Sequence, residues 1–275
     1  MTAIVLLATH PPKLPDYGVV TLQVECSLFC WTELLTHRSF GRNASSARAM
    51  GTKRYSDMGY YTPDHFFTQG EGMQASGTHI EHEWLARLIW HTTMFGTTIA
   101  AKMLEKLKVA KEQRNRLIPP TKTVRGIVTG TCHSWKYFLR LRNTRHADTA
   151  MRRLAEEVAD AIHDAQWCVA NEHMPLAPPA TVEDRHLIAA ARIARVSYAR
   201  SAGKDDHSLA TTLLEQGHLS PFEHIAYWKE APYLCCLNSK PQERSQDTRA
   251  IYGWEHWRAA QEKRNDPYGY NVWKR

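Results

Sequence analysis

Twice in this chain a run of alternating, β-branched residues passes straight into a segment of helical period, and this arrangement limits what it can fold into. Residues 18–26, GVVTLQVEC, alternate as a strand does. SLFCWTELLTHR follows at helical spacing, with Ser27 placed to cap its first turn. Residues 123–131, TVRGIVTGT, predict a second strand, and HSWKYFLRLR and HADTAMRRLAEEVADAIHDAQW predict amphipathic helices, Asn143 or Thr144 capping the second. Between these units, HIEHEWLARLIWHTTMFGTTIAAKMLEKLKVAKEQRNRLI predicts one long helix or two, interrupted near Gly96 and stopped by Pro119 and Pro120. Residues 51–78 lack a period and predict an irregular excursion suited to a lid. The opening MTAIVLLATH predicts an edge strand; without a basic leader or a small-residue cleavage site it does not read as a signal peptide. Residues 171–182, NEHMPLAPPATV, predict a linker or surface crossing. Residues 183–216 return to helix with a break near Gly203, HLSPFEH leads into a short strand IAYW, and WEHWRAAQEKR in the aromatic tail predicts a helix.

With 275 residues the chain can bury a substantial core. No stretch approaches the roughly 18 apolar residues of a membrane span. The net charge of +7 favours anionic partners. The arginines are dispersed rather than massed in a basic tail, which suits a small phosphorylated ligand better than a polynucleotide. Cys26, Cys30, Cys132, Cys168, Cys235 and Cys236 form no CxxC pair and no metal knuckle, so free thiols, mostly in the core of a protein of the reducing cytoplasm, are expected.

Three constellations carry chemistry. In THRSFGRNASSARA (36–49), His37, Arg38, Arg42 and Arg48 alternate with Asn43, Ser45 and Ser46, a set of cations and short donors suited to phosphate; a solvated basic loop is the plain alternative. In GHLSPFEH (217–224), His218, Ser220, Glu223 and His224 converge at a turn fixed by Pro221. The His-x5-His spacing is not that of helical metal ligands, and neither this segment nor HIEHE at 79–83 is expected to hold a metal. In YFLRLRNTRHADTAM (137–151), Arg140, Arg142, Arg145 and His146 crowd a helix junction, where an anion would also meet a helix N-terminus; a basic surface turn is the alternative. The chain has no P-loop, GxGxxG or GxSxG.

Taken together, these segments resemble the flavin-dependent thymidylate synthases, the ThyX family. That family carries Arg-His-Arg, seven residues, then Ser; here Thr36, His37 and Arg38 precede Ser46 by the same gap, with Arg48 at a further family arginine. AARIARVSYARS (190–201) and GHLSPFEH match a second family stretch, and RLIPP (116–120) with YFLRLRNTRHADTAM match a third. The matches cover most of 19–167 and 186–228, in an order opposite to the family's, so the resemblance implies a circularly permuted form cut near the strand shared by IAYW and VVTLQVEC and joined through 171–182. Residues 229–275 would be an extra tail on one catalytic domain.

The resemblance implies an α+β, ThyX-like fold with an antiparallel sheet and helices. It implies a homotetramer with sites between subunits, FAD as cofactor, NADPH and methylenetetrahydrofolate as co-substrates, and dUMP as acceptor, with no enzyme nucleophile. Carried over by position, His37, Arg38, His146, Ser197, His218, Ser220 and Glu223 would hold the flavin. Ser46, Arg48 and Arg116 would bind the nucleotide, and Arg142 would hold and polarise the pyrimidine, as a fixed guanidinium can. Thr36 replaces the first signature Arg, Ala44 a family Glu, and Thr131 and His133 an Asn and an Arg. Acceptance of dCMP, or hydroxymethyl rather than methyl transfer, therefore stays open, as does a scaffold that binds nucleotide without catalysis. The permuted order suits a viral source.

Overall fold

A computed structural model describes residues 1–48, 50–70, 75–198, 205–229, 250–251 and 253–258. In chain order the elements are β1 (Thr2–His10), a 3-10 turn (Pro15–Tyr17), β2 (Val19–Ser27), α1 (Leu28–Leu34), β3 (Gly41–Ala44), α2 (Thr52–Ser56), β4 (Phe67–Gln69) and β5 (Ala75–His79). There follow α3 (Glu83–Lys106), α4 (Lys111–Arg114), a 3-10 turn (Asn115–Leu117), β6 (Thr123–Thr131), α5 (Cys132–Arg142), α6 (Thr149–His163), β7 (Trp167–Val169) and β8 (Glu172–His173). The chain continues through α7 (Arg185–Ala194), α8 (Asp206–Glu215), a 3-10 turn (Ser220–His224), β9 (Ala226–Trp228), β10 (Ala250–Ile251) and β11 (Trp254–His256).

The main sheet runs β3-β6-β2-β1-β7. Its spine is the antiparallel pair β2 and β6, in unbroken register from Val19 opposite Thr131 to Ser27 opposite Thr123. The β-branched alternation of these segments has a physical use. Val20, Leu22, Val24 and Cys26 bury one face of β2, joined by Val124 and Val128 of β6. Trp31 of α1, Trp135 and Phe138 of α5, and Met151, Leu154 and Val158 of α6 close over that face. Each such fully buried large side chain contributes on the order of 2 kcal/mol. Gly126 and Gly130 make room for rings: a Cβ at Gly126 would lie 2.2 Å from Trp31, and one at Gly130 2.4 Å from Phe40. On the opposite face Ile127 packs on Ile193 and Val196 at the end of α7.

A second sheet, β10-β11-β9-β8, stands beside the first, and α7 and α8 pack with Phe222 and Ile225 into a small core of their own. A buried polar chain ties the layers together. Thr9 Oγ1 lies 3.0 Å from His173 Nδ1, His173 Nε2 lies 2.7 Å from Thr21 Oγ1, Thr21 and Thr129 hydroxyls are 2.6 Å apart, and Thr129 Oγ1 lies 2.8 Å from His224 Nδ1. Every residue in this chain is 2% exposed or less. β9 and β2 lie in separate sheets and meet where Val19 packs with Ala226 and Trp254.

The fold departs from the sequence reading at several points. β1 is no simple edge strand, because β7 pairs with it in parallel from Ala8 to His10. Gly96 does not interrupt α3, whose 24 residues run through it; one helical glycine costs about 1 kcal/mol, too little to break so long a helix. Asp148, rather than Asn143 or Thr144, caps α6 by accepting from the Ala150 and Met151 amides. GRNA of the basic loop is the edge strand β3, and the 51–78 excursion contains α2 and the β4–β5 hairpin. The 171–182 stretch is not wholly a surface crossing, since β8 buries His173. Trp254–His256 form a strand on β9 rather than a helix; the rest of WEHWRAAQEKR beyond residue 258, and Cys235 and Cys236, lie outside the described residues. Of the other cysteines, Cys26 and Cys30 are buried, Cys132 is half-buried and Cys168 exposed.

Candidate active site

The site begins where α1 ends. Ser27 accepts from the Cys30 amide and starts α1, whose last turn presents Glu33. The chain then turns through His37 and enters β3. Arg142, the last residue of α5, reaches back to this turn: its Nη1 donates to Glu33 Oε2 at 3.0 Å and its Nε to His37 Nε2 at 3.3 Å. His37 is 7% exposed and sits edge-on to Phe138, with ring centres 5.2 Å apart. Burial, with the Arg142 and Arg42 guanidinium groups beside it, holds the His37 imidazole below its ordinary pKa, so at neutral pH it is uncharged. A neutral ring whose Nε2 accepts from Arg142 carries its proton on Nδ1. Arg42 donates to the Leu35 and His37 carbonyls and fixes the turn from below.

A second group forms at the far end of β3. Ser197, 6% exposed, donates from Oγ to the Ala44 carbonyl at 2.9 Å and accepts from the Ser46 amide at 3.0 Å. Asn43 Nδ2 donates to the Ile193 carbonyl. The Arg54 guanidinium donates to the carbonyls of Arg195, Val196 and Ser197, placing a cation at the carboxyl end of α7 as the helix dipole favours. β3, four residues at about 3.3 Å each, separates the two groups by on the order of 10 Å. Buried Asn115 donates to the Ala47 and Met50 carbonyls and ties the 3-10 turn Asn115–Leu117 to the segment after Ser46.

The 3-10 turn Ser220–His224 lies against β3, close enough that a Cβ on Gly41 would be 3.0 Å from the Glu223 carbonyl oxygen. Glu223 pairs with Arg258, and Trp257 packs on Phe222 at 4.8 Å, so the described tail residues reach this turn. The structure thus brings His37 to Arg142, and Ser46 to Ser197, and lays Glu223 along the strand between them. Arg38, Arg116, His146 and His218 stand exposed, and Ser220 is half-buried at the start of its turn. Arg48 is largely exposed and faces Glu112 at 3.6 Å. Glu33, Arg54, Asn115 and Arg258 complete the arrangement and carry no signal in the sequence, while Arg42 and Asn43, read there as donors suited to phosphate, bond main-chain carbonyls.

The fold and the site define an α+β protein with a cationic, hydroxyl-bearing cluster along the edge of its main sheet. The chain belongs to the family described as thymidylate synthase complementing protein, whose profile matches residues 14–166. It is 25% identical over 150 residues to the flavin-dependent thymidylate synthase of Mycolicibacterium vanbaalenii, a match covering 50% of this chain and 54% of that protein. The chain thus matches about half the length of that curated relative. Two solved structures of the UMP/dUMP methylase PolB from Streptomyces cacaoi are similar. The one bound with 5-Br dUMP is 18% identical, covering 54% of this chain and 67% of that one at a TM-score of 0.47. The one bound with 5-Br UMP is 19% identical, covering 54% and 70% at a TM-score of 0.48. Among the described residues no helix is long and apolar enough to cross a membrane.

Proposed function

We propose that this protein is a flavin-dependent thymidylate synthase that methylates dUMP to dTMP with methylenetetrahydrofolate and NADPH. The observation that carries the reading is the contact of Arg142 with His37 before β3 and of Ser46 with Ser197 after it. These four residues come from segments far apart in the chain, each resembling a family motif. The donor set fits a flavin and a nucleotide phosphate. Guanidinium, hydroxyl and main-chain N–H groups dominate, and the acids Glu33, Glu112 and Glu223 are each paired with an arginine. FAD, when bound, supplies the reducing hydride. The protein's own part is to hold the base against Arg142, to bind phosphate through Ser46, Arg48 and Arg116, and to seat the cofactor with His37, Arg38, His146, Ser197, His218, Ser220 and Glu223.

The proposal includes a circular permutation. Ser197 and Glu223 lie outside the 14–166 family match, yet they pack on Ala44 and Gly41 within it, as segments moved from the front of a chain to its end would do. It also includes a homotetramer. α3 leaves Trp84, Leu88, Ile89, Phe95, Ile99 and Met103 between 41% and 69% exposed, an apolar face of the kind that marks an interface. Light scattering on the size-excluded protein should give a mass of several chains, and Leu88→Glu with Phe95→Glu should lower it; a monomeric wild type overturns this part.

One observation favours a second reading, a hydroxymethylase or methylase acting on dCMP. The Glu33 carboxylate beside Arg142 is an acceptor, and cytosine offers an amino donor next to a ring-nitrogen acceptor. The deciding experiment is an absorbance spectrum followed by NADPH oxidation with methylenetetrahydrofolate and either dUMP or dCMP, with mass analysis of the product. A yellow protein forming dTMP is expected. A hydroxymethyl product or activity on dCMP alone selects the second reading, and a colourless protein that added FAD cannot activate leaves a nucleotide-binding scaffold.

A further inference from the structure

The spacing of HIEHE alone offers no metal site, but the fold brings a third ligand to it from the bend before β4. His65 stands just before β4, His79 ends β5, and Glu83 opens α3. The hairpin register sets Phe67 opposite His79. The Phe67 ring lies 4.8 Å from the His79 ring and 6.2 Å from that of His65, so the two imidazoles share one apolar support. The imidazoles meet edge to face with centres 4.7 Å apart. Nδ1 of His65 is 3.7 Å from one oxygen of Glu83, and Nδ1 of His79 is 3.6 Å from the other. One donor atom from each of the three residues lies within 4.8 Å of the other two.

We propose that His65, His79 and Glu83 form a binding site for a divalent transition-metal cation, with Zn²⁺ the best match. A tetrahedral zinc with bonds of about 2.1 Å needs its ligand atoms roughly 3.4 Å apart. The two histidine–carboxylate spacings of 3.7 and 3.6 Å are near that value, the three donor atoms lie within 4.8 Å of one another, and both imidazoles are more than half exposed, with room to close the remaining gap. Two imidazoles and a carboxylate are a donor set for zinc, cobalt or nickel rather than for calcium or magnesium. Three protein ligands leave at least one position for water or an outside ligand.

Arg87 holds the same carboxylate at 2.6 Å and is itself anchored on the Asp64 carbonyl and against the Phe66 ring. It orients Glu83 as outer partners of metal-bound carboxylates do, while its charge opposes a dication and keeps the site exchangeable. Occupied, the site ties the β4–β5 hairpin to the first turn of α3.

Zn²⁺ and Co²⁺ titrated by calorimetry and visible absorbance into full-length protein stripped with chelator test the site. One equivalent should bind saturably at sub-millimolar concentration, Co²⁺ should show the intense visible bands of low coordination, and Tm should rise with Zn²⁺. His65→Ala and His79→Ala should each abolish the equivalent. His82→Ala and His91→Ala, which remove exposed imidazoles of the same stretch, should leave it intact. Circular dichroism without metal should match across all four variants; where an alanine variant fails to fold, the corresponding His→Gln replaces it. No saturable binding, or an equivalent that survives His65→Ala with His79→Ala, overturns the proposal.

Discussion

Arg142→Ala is expected to lower turnover by at least about a hundredfold, the scale on which removal of one preorganised charged donor acts, while the protein folds and retains its flavin. Arg142 is at the carboxyl end of α5, where its backbone is held by the helix and its guanidinium by Glu33 at 3.0 Å and His37 at 3.3 Å. Those two bonds use Nη1 and Nε and leave the remaining guanidinium N–H groups for a ligand. Glu33 is the carboxylate that balances Arg142 in this contact, and a base carbonyl gaining electron density meets a guanidinium already in place. Arg142→Lys should fall between wild type and alanine, because an ammonium keeps the charge but cannot bond Glu33, His37 and a base at once. Glu33→Gln keeps the geometry without the charge and should move the preference between uracil and cytosine nucleotides more than it moves flavin content. The readouts are kcat and KM for nucleotide with the flavin absorbance of the same samples. Turnover within tenfold of wild type in Arg142→Ala would remove that residue from the chemistry.

What could be read in advance divides along a physical line. β2, β6, α1, α5 and α6 are legible because their sequence periods match the faces they bury, and Ser27 is legible as a cap because its partner, the Cys30 amide, is three residues away. The cap of α6 differs from the sequence expectation for a local reason: Asn143 is taken up at the end of α5, leaving Asp148 to serve the next helix. Glu33 looks in the sequence like an ordinary polar position of an amphipathic helix; its meaning depends on Arg142, 109 residues on, which only the fold brings to it. Asn115, Arg54 and Arg258 are of the same kind, since each bonds carbonyls or a carboxylate on a segment distant in the chain. His173 shows the opposite failure. Its Pro-rich neighbourhood reads as surface, and nothing local signals that Thr9 and Thr21 will enclose it.

That enclosure gives the second large effect, an acid sensitivity that should appear well above the pKa of any carboxylate. His173 and His224 are both fully buried, and burial pushes each imidazole down to about 3, with the neighbouring His173 and His256 adding to the effect on His224. In the unfolded chain both return to about 6.5. Above pH 6.5 neither state takes up a proton at these sites and the native state carries no penalty. As the pH falls below that value the unfolded chain gains two protons that the native state refuses until about pH 3, and stability is lost across the whole window. Each imidazole costs about 1.4 kcal/mol per pH unit there, so at pH 5 the pair removes about 4 kcal/mol from a domain whose total is of order 10 kcal/mol. His37 and His186, also lowered by burial, act in the same direction, so the test must compare slopes. Denaturant unfolding of wild type, His173→Gln and His224→Gln at pH 7.5, 6 and 5 provides them. Both variants should be less stable than wild type at pH 7.5, because the bonds to Thr9 and Thr21 or to Thr129 are disturbed, yet each should lose stability more slowly on acidification. Parallel slopes in all three proteins would mean that these imidazoles titrate alike in the native and unfolded states, and that the hydroxyl–imidazole chain between the sheets is open to protons.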